Sequence, residues 1–221
     1  MHDVIWRNIA AFTRAAAVLG ALAGTAARAE TPLTIVAFGD SLTAGYQLPP
    51  DKSFPAQLEK ALRAKGYDVR VENAGVSGET AAEGLARLDW ALSGPADAVI
   101  VELGANDALR GLPTPQTEKA LDQILARLAA RGVPVLLAGM EAPRNMGRDY
   151  TDAFRAIYPR LAEKHGALLY PFFLEGVAMN RALNLPDGIH PTAEGVAEIV
   201  KNITPNVEAL IARAQARKTP S

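Results

Sequence analysis

Cysteine is absent from the 221-residue chain, and no charge of one sign predominates. Without cysteine the chain has no disulfide bond, no thiol nucleophile and no thiolate metal site. The formal net charge of −1 gives no reason to expect nucleic acid as a partner. The G-x-G-x-x-G and Walker phosphate loops are missing, as is the G-x-S-x-G motif. These absences argue against a nucleotide- or flavin-binding module and against an α/β-hydrolase.

An apolar run long enough to span a membrane comfortably is also lacking. The apolar stretch from Ala15 to Gly24 is short, follows Arg7 and Arg14, and precedes Ala27-Arg28-Ala29. A basic start, an apolar centre and a small-residue cleavage sequence predict a signal peptide over residues 1–29. The mature protein is then expected in the periplasm or outside the cell. An amphipathic N-terminal helix is the alternative interpretation.

Five short apolar, β-rich runs alternate with helical patterns in the rest of the chain. The predicted strands are 33–38, 69–72, 98–103, 133–138 and 167–170. The predicted helices are 53–65, 80–92, 117–131, 150–165 and 193–213. Nearly continuous apolar strands indicate a parallel sheet covered on both faces, with right-handed crossovers. The sequence predicts an α/β fold, a three-layer α/β/α sandwich with a five-stranded parallel sheet. We expect one domain over residues 30–213 and a frayed tail over 214–221.

The first predicted strand ends at Gly39-Asp40-Ser41. A serine at a strand-to-loop junction lies at the carboxyl end of the sheet, where open α/β folds bind their ligands. Ser41 is therefore a candidate nucleophile, and the alternative is an N-cap of the following helix. Asp40 is interpreted as structural, accepting hydrogen bonds from nearby loop N–H groups.

Two more loops follow the second and third predicted strands. The glycine-containing loop 73–80 offers a backbone N–H at Gly78, close to a helix start, which is suited to an oxyanion. The side-chain amide of Asn106 offers a second donor of this kind. Both loops also fit ordinary turn and N-cap chemistry, so each signal is weak when taken alone.

Asp187-Gly188-Ile189-His190-Pro191 precedes the last predicted helix. An aspartate three residues before a histidine, with glycine between, lets Asp187 orient the His190 ring while the other ring nitrogen accepts a serine proton. His165 lies at a predicted helix C-terminus, where a surface role is expected. His190 is therefore the candidate general base, and the alternative is a histidine that caps the last helix.

In this order along the chain, the four motifs resemble those of the SGNH (GDSL) hydrolase superfamily. The chain is similar to its thioesterase I, lysophospholipase L1 and arylesterase branch, notably over Val101–Gly111 and Phe154–Pro159. The resemblance extends from about Leu33 to the last helix and implies a flavodoxin-like sheet. Ala105 is a small departure, because a second glycine is frequent there.

The resemblance implies a role for each of five residues. Ser41 is the nucleophile and also gives a backbone N–H to the oxyanion hole. Gly78 supplies a second oxyanion donor from its backbone, and Asn106 supplies a third from its side chain. His190 is the general base and then the general acid, and Asp187 orients it. The implied reaction is hydrolysis of an ester or thioester through an acyl-enzyme, without a metal or an organic cofactor.

Two loops at the same end of the predicted sheet are candidates for substrate binding. Leu109 and Leu112 follow Asn106 and are predicted to line an acyl groove, with Met140 and Pro143 on the opposite wall. The alternative is that these side chains only pack the loops. The expected partner is a small acyl ester or thioester, and the chain is expected to be a monomer. A carbohydrate O-acetylesterase of the same fold, or a noncatalytic binding module, is the alternative function.

Overall fold

A computed structural model describes residues 32–218 of the chain. The five strands are β1 (Leu33–Gly39), β2 (Val69–Gly75), β3 (Ala98–Glu102), β4 (Val135–Ala138) and β5 (Leu168–Tyr170). They form one parallel sheet in the order β2-β1-β3-β4-β5. This order confirms the flavodoxin-like sheet, with the order reversing at β1 and β3.

Eight α-helices connect and cover the strands in the described part of the chain. They are α1 (Ser41–Ala44), α2 (Phe54–Ala64), α3 (Ala81–Ala91), α4 (Ala105–Leu109), α5 (Thr114–Ala130), α6 (Arg148–Arg155), α7 (Ile157–His165) and α8 (Ala193–Lys218). Short 3₁₀ turns occur at Pro50–Lys52 and Arg144–Met146. Helices α2 and α8 pack against each other, and α5 packs against both α3 and α7. The three-layer α/β/α sandwich is thereby confirmed.

The core lies on both faces of the central strands. Every residue of β1 and β3 is buried, which explains why these strands read as continuous apolar runs. Helices contribute large side chains such as Phe54, Leu121 and Phe154 from the covering layers. A sheet buried on both faces fixes the carboxyl ends of β1, β2 and β3 relative to one another.

Some element boundaries differ from the predicted ones. The segment predicted as one helix over 150–165 is two helices, α6 and α7, because Pro159 lacks the N–H that would continue the ladder to Arg155. Helix α5 begins three residues early, at Thr114, with Pro115 tolerated in its first turn. Helix α1 and helix α4 are single turns that no periodic pattern could indicate.

The last helix is longer than predicted. Helix α8 continues to Lys218 rather than ending at residue 213, so the tail is helical where fraying was expected from Ala214. The Ala214 side chain is buried in the core, and Lys218 Nζ lies 2.8 Å from Asp97 Oδ1. These contacts hold the last turns in place. The predicted signal peptide and residues 219–221 lie outside the described residues. No helix of residues 32–218 is long and apolar enough to cross a membrane.

Candidate active site

Ser41, His190 and Asp187 form a continuous hydrogen-bonded chain at the carboxyl edge of the sheet. His190 Nε2 lies 2.9 Å from Ser41 Oγ, and His190 Nδ1 lies 2.7 Å from Asp187 Oδ2. Ser41 is 149 residues away from His190 in the sequence. The fold therefore joins two of the predicted motifs in the geometry of a serine–histidine–aspartate triad.

The turn before α8 shapes the Asp187–His190 pair. Asp187 Oδ1 accepts the backbone N–H groups of Ile189 at 2.9 Å and His190 at 3.0 Å. Burial opposes ionisation of Asp187, but these two N–H groups and the His190 ring together lower its pKa to about 2. Asp187 is therefore a carboxylate at neutral pH, with one oxygen bound to the turn and the other to the imidazole.

Tyr46 lies against the His190 ring, and nothing in the sequence indicates this contact. The centroids of the two rings are 4.3 Å apart, at an interplanar angle of 35°. The tyrosine follows α1, and its position beside the imidazole depends on the fold of the distant turn before α8. This contact limits the orientations that the His190 ring can adopt.

The N-terminus of α1 presents Ser41. Asp40 is the N-cap of this helix, and its Oδ1 accepts the N–H of Leu42 at 3.0 Å. The alternative interpretation of Ser41 as the N-cap is therefore wrong, and the structural interpretation of Asp40 is confirmed. Because Ser41 is the first residue of α1, its own N–H has no intrahelical acceptor. Within residues 32–218 that N–H donates no hydrogen bond.

Gly78 offers a second unpaired backbone donor. Its φ is +86°, a left-handed conformation that favours glycine, and a Cβ there would meet no heavy atom closer than 3.9 Å. The conformation, rather than space, thus accounts for the glycine. The Gly78 carbonyl accepts Arg110 Nη2 at 2.6 Å, while its N–H donates no hydrogen bond in the described part of the chain.

Asn106 lies on the first turn of α4 and differs from the two backbone donors. Its Nδ2 donates to Asp40 Oδ2 at 3.1 Å and to the Glu79 carbonyl at 3.0 Å. Both hydrogens of the amide are therefore engaged inside the protein. The two bonds fix the amide group between the loop after β1 and the loop after β2.

Gly104 allows α4 to begin close to α7. Its φ is +116°, and a Cβ at this position would overlap Tyr158 Oη. The same Tyr158 hydroxyl donates to the Leu103 carbonyl at 3.0 Å. Glycine is thus required at the position that directs the chain from β3 into the turn carrying Asn106.

Besides Asp40, a second buried carboxyl group lies next to the start of α1, and the sequence interpretation did not identify it. Glu102, the last residue of β3, is fully buried, and its Oε2 accepts Thr43 Oγ1 at 2.8 Å and the Asp40 N–H at 3.4 Å. Burial, and secondly the nearby Asp40 charge, raise the pKa of Glu102 well above its usual range. Burial also raises the pKa of Asp40, to about 6, although hydrogen bonds and His190 oppose it.

Arg87 is another residue that the sequence did not single out. From α3 its Nε contacts both oxygens of Glu79, at 2.7 and 2.6 Å. Its Nη2 donates to the carbonyls of Gly39 at 3.1 Å and Ala74 at 3.0 Å. The guanidinium lies 4.4 Å from the centre of the Phe38 ring. A single cation therefore connects the ends of β1 and β2 to the loop that carries Gly78.

The four residues predicted to bind substrate are placed differently. Leu109 is exposed at 47%, and Leu112 and Pro143 are half-buried. Met140 is only 2% exposed and belongs to the core, so the prediction that it lines a groove is wrong for this structure. It lies two residues after the end of β4 and is buried like the strand. Among residues 32–218, no three histidine or carboxylate side chains are grouped so as to hold a metal ion.

The fold and the arrangement of this site are typical of the SGNH class of hydrolases. Comparisons with known proteins lead to the same class. The profile of the GDSL-like lipase/acylhydrolase family matches residues 37–198. The chain belongs to this family.

Three curated relatives are similar over most of their length. The chain is 38% identical to esterase TesA of Pseudomonas aeruginosa, over an alignment that covers 80% of this chain and 89% of that protein. It is 42% identical to an arylesterase of Vibrio mimicus, covering 75% and 85%. It is 39% identical to thioesterase 1/protease 1/lysophospholipase L1 of Escherichia coli, covering 83% and 88%.

Solved structures extend the similarity to three dimensions. A crystal structure of TesA matches with a TM-score of 0.77 at 38% identity, covering 80% of this chain and 99% of that one. AlinE4, described as an SGNH-hydrolase family esterase, matches with a TM-score of 0.69 at 46% identity, covering 86% and 98%. The chain thus shares its fold with esterases of this family.

Proposed function

We propose that this protein hydrolyses carboxylic esters and thioesters through an acyl-enzyme on Ser41. The observation that carries this proposal is the Ser41–His190–Asp187 chain, with contacts of 2.9 and 2.7 Å. His190 accepts the Ser41 proton at Nε2 as Oγ attacks the acyl carbon. Asp187 holds the ring and stabilises the imidazolium that forms. Family membership and the names of the relatives support the same reaction class.

The oxyanion of the tetrahedral intermediate is held by three donors in this proposal. The backbone N–H groups of Ser41 and Gly78 are unpaired in the resting structure, which leaves them available to an incoming oxygen. Asn106 Nδ2 supplies the third hydrogen bond by sharing with the oxyanion a hydrogen that the resting structure directs to Asp40 or to the Glu79 carbonyl. Removal of one such donor costs about 2.7–4 kcal/mol of transition-state stabilisation, or roughly 100- to 1000-fold in rate.

The second half of the reaction reverses these proton movements. His190 gives its proton to the leaving alcohol or thiol, and the acyl group remains on Ser41. A water molecule then loses a proton to His190 Nε2 and attacks the acyl carbon, which releases the acid and restores the serine. Leu109, Leu112 and Pro143 are the candidates for contact with the acyl chain.

We also propose that residues 1–29 direct export and are removed, and that the mature chain acts as a monomer. The N-terminal sequence pattern supports the first part. Determination of the N-terminal residue after secretion from a bacterial host would test it, and an intact Met1 in the exported protein would contradict it. Sedimentation of the purified mature chain would test the second part.

Hydrolysis of a p-nitrophenyl ester series, from acetyl to palmitoyl, tests the proposed reaction. We expect turnover by the wild type and a loss of at least about 1000-fold in kcat/KM for Ser41→Ala. Ser93→Ala, which changes an exposed serine on the loop after α3, is the matched control and should behave as wild type. Equal rates for wild type and Ser41→Ala on every ester would contradict the assignment. Activity confined to acetyl esters would favour the O-acetylesterase alternative.

A further inference from the structure

The floor of the candidate oxyanion hole contains two carboxyl groups with no cation bound to them. Asp40 and Glu102 are both fully buried. Three charged or titratable side chains lie near these two carboxyl groups: His190, Tyr158 and Arg87. Of these, Arg87 binds the Gly39 carbonyl, Tyr158 donates to the Leu103 carbonyl, and His190 bonds to Ser41 and Asp187. Neither buried carboxyl group is neutralised by an ion pair in residues 32–218.

The two carboxyl groups belong to residues in direct contact. The Asp40 N–H donates to Glu102 Oε2 at 3.4 Å, and the Asp40 charge disfavours ionisation of Glu102. Two carboxylates this close, away from water, would repel each other strongly. A proton on either group removes this repulsion.

The remaining contacts indicate which group carries the proton. Both Asp40 oxygens already accept hydrogen bonds, from the Leu42 N–H and from Asn106 Nδ2. Glu102 Oε2 accepts Thr43 Oγ1 and the Asp40 N–H, but Glu102 Oε1 is buried without a donor. A buried carboxylate with an oxygen that accepts no hydrogen bond is costly, so the neutral acid is favoured at Glu102.

We propose that Glu102 carries a proton in the folded protein, and that this neutral acid positions Asp40 as the carboxylate that holds Asn106. The part that concerns Asn106 rests on the proposed function, because Asn106 is there an oxyanion donor. Glu102 is a positioning residue that acts through Asp40 and Thr43. The burial that raises the pKa of Glu102 well above its usual range supports this assignment.

The proton can be tested without a substrate. We expect the infrared spectrum of the wild type at about pH 8 to contain the carbonyl band of a protonated carboxylic acid, which is absent from Glu102→Gln. An ordinary glutamic acid is ionised at this pH. Glu163→Gln, which changes an exposed glutamate on α7, is the matched control and should retain the band. If the band is missing in the wild type, or unchanged in Glu102→Gln, Glu102 does not carry the proton.

Stability against pH gives a second readout that does not depend on turnover. Above the usual pKa of a glutamic acid, the unfolded chain releases the Glu102 proton while the folded chain retains it, so stability falls as pH rises towards the folded-state pKa. Glu102→Gln removes this loss. We therefore expect the Tm of Glu102→Gln minus that of the wild type to increase by at least about 2 °C from pH 5 to pH 8. A difference that is constant or decreases with pH would overturn the proposal.

Activity tests the positioning part. Glu102→Gln keeps an uncharged group whose oxygen can accept from the Asp40 N–H and from Thr43 Oγ1, and kcat/KM should stay within about threefold of wild type. Glu102→Met removes both contacts, and kcat should fall by about 10- to 100-fold with a much smaller change in KM. If the infrared band and the pH dependence of Tm are as expected but kcat of Glu102→Met equals that of the wild type, the positioning role of Glu102 is overturned. Failure of the proposed function would show separately, as equal rates for wild type and Ser41→Ala.

Discussion

The candidate site is assembled from two regions that differ in burial. The triad edge, meaning Tyr46, Asp187 and His190, lies on surface turns, and 35% of the Asp187 side chain is exposed. The oxyanion floor, meaning Asp40, Arg87, Glu102 and Asn106, lies mostly below the surface and contacts several loops at once. The difference indicates that the triad edge contributes little to the stability of the fold, whereas the oxyanion floor connects several loops and strand ends.

Asp187→Asn should have the largest effect on activity at the triad edge. The amide can present a donor to His190 Nδ1 and so favour the wrong tautomer, and we expect a fall of about 10⁴ in kcat, the size known for this change in another serine hydrolase. Because Asp187 is partly exposed, the Tm should change little. Steady-state kinetics and thermal unfolding of the same preparation measure both effects. Asp149→Asn, at an exposed aspartate on α6, is the control. A large loss of stability without loss of kcat would reverse the comparison between the two regions.

Arg87→Met should have its largest effect on stability, at the oxyanion floor. The side chains of Arg87 and Glu79 are only 15% and 14% exposed, so the change leaves a carboxylate and two carbonyl groups without their donor. Breaking such a buried pair costs about 3–5 kcal/mol in the free energy of unfolding. Denaturant unfolding measures this loss. Arg87→Met combined with Glu79→Gln should recover part of it, and a double variant as unstable as the sum of both single changes would show that the pair is not coupled.

Leu109→Asp, at the exposed rim of the candidate site, should have the smallest effect of the three changes. The side chain is 47% exposed, so stability should be unchanged within about 0.5 kcal/mol. We expect lower kcat/KM on long acyl chains than on acetyl esters, because a charge replaces apolar contact. Trp90→Asp, at an exposed aromatic residue on α3, is the control. Equal losses on short and long esters would remove Leu109 from the acyl-binding surface.

Sequence patterns singled out some residues of each region and missed others, namely Tyr46 at the triad edge and Arg87 and Glu102 at the oxyanion floor. Ser41, Asp187 and His190 occur in short motifs with glycine or a strand end beside them, so local chemistry identifies them. Glu102 closes an apolar strand and Arg87 lies within an ordinary amphipathic helix, so neither stands out locally. Their roles depend on partners such as Thr43 and Gly39, which are 59 and 48 residues away in the sequence.

The fold was predictable at the level of layers, strands and their parallel direction, because burial on both faces leaves continuous apolar runs. The break between α6 and α7 was not predicted, although Pro159 is its physical reason. The burial of Met140 was also missed, since an apolar residue after a strand can enter either the core or a surface groove. Such choices depend on packing against distant elements.

The two internal hydrogen bonds of Asn106 bear on selectivity between substrate and transition state. A neutral ester oxygen is a weak competitor for hydrogens that Asp40 and the Glu79 carbonyl already hold. A negatively charged oxygen is a much stronger acceptor and can share them. The amide would therefore contribute little to binding the resting substrate and most when charge develops on the carbonyl oxygen, which is the condition for lowering a barrier rather than only tightening binding.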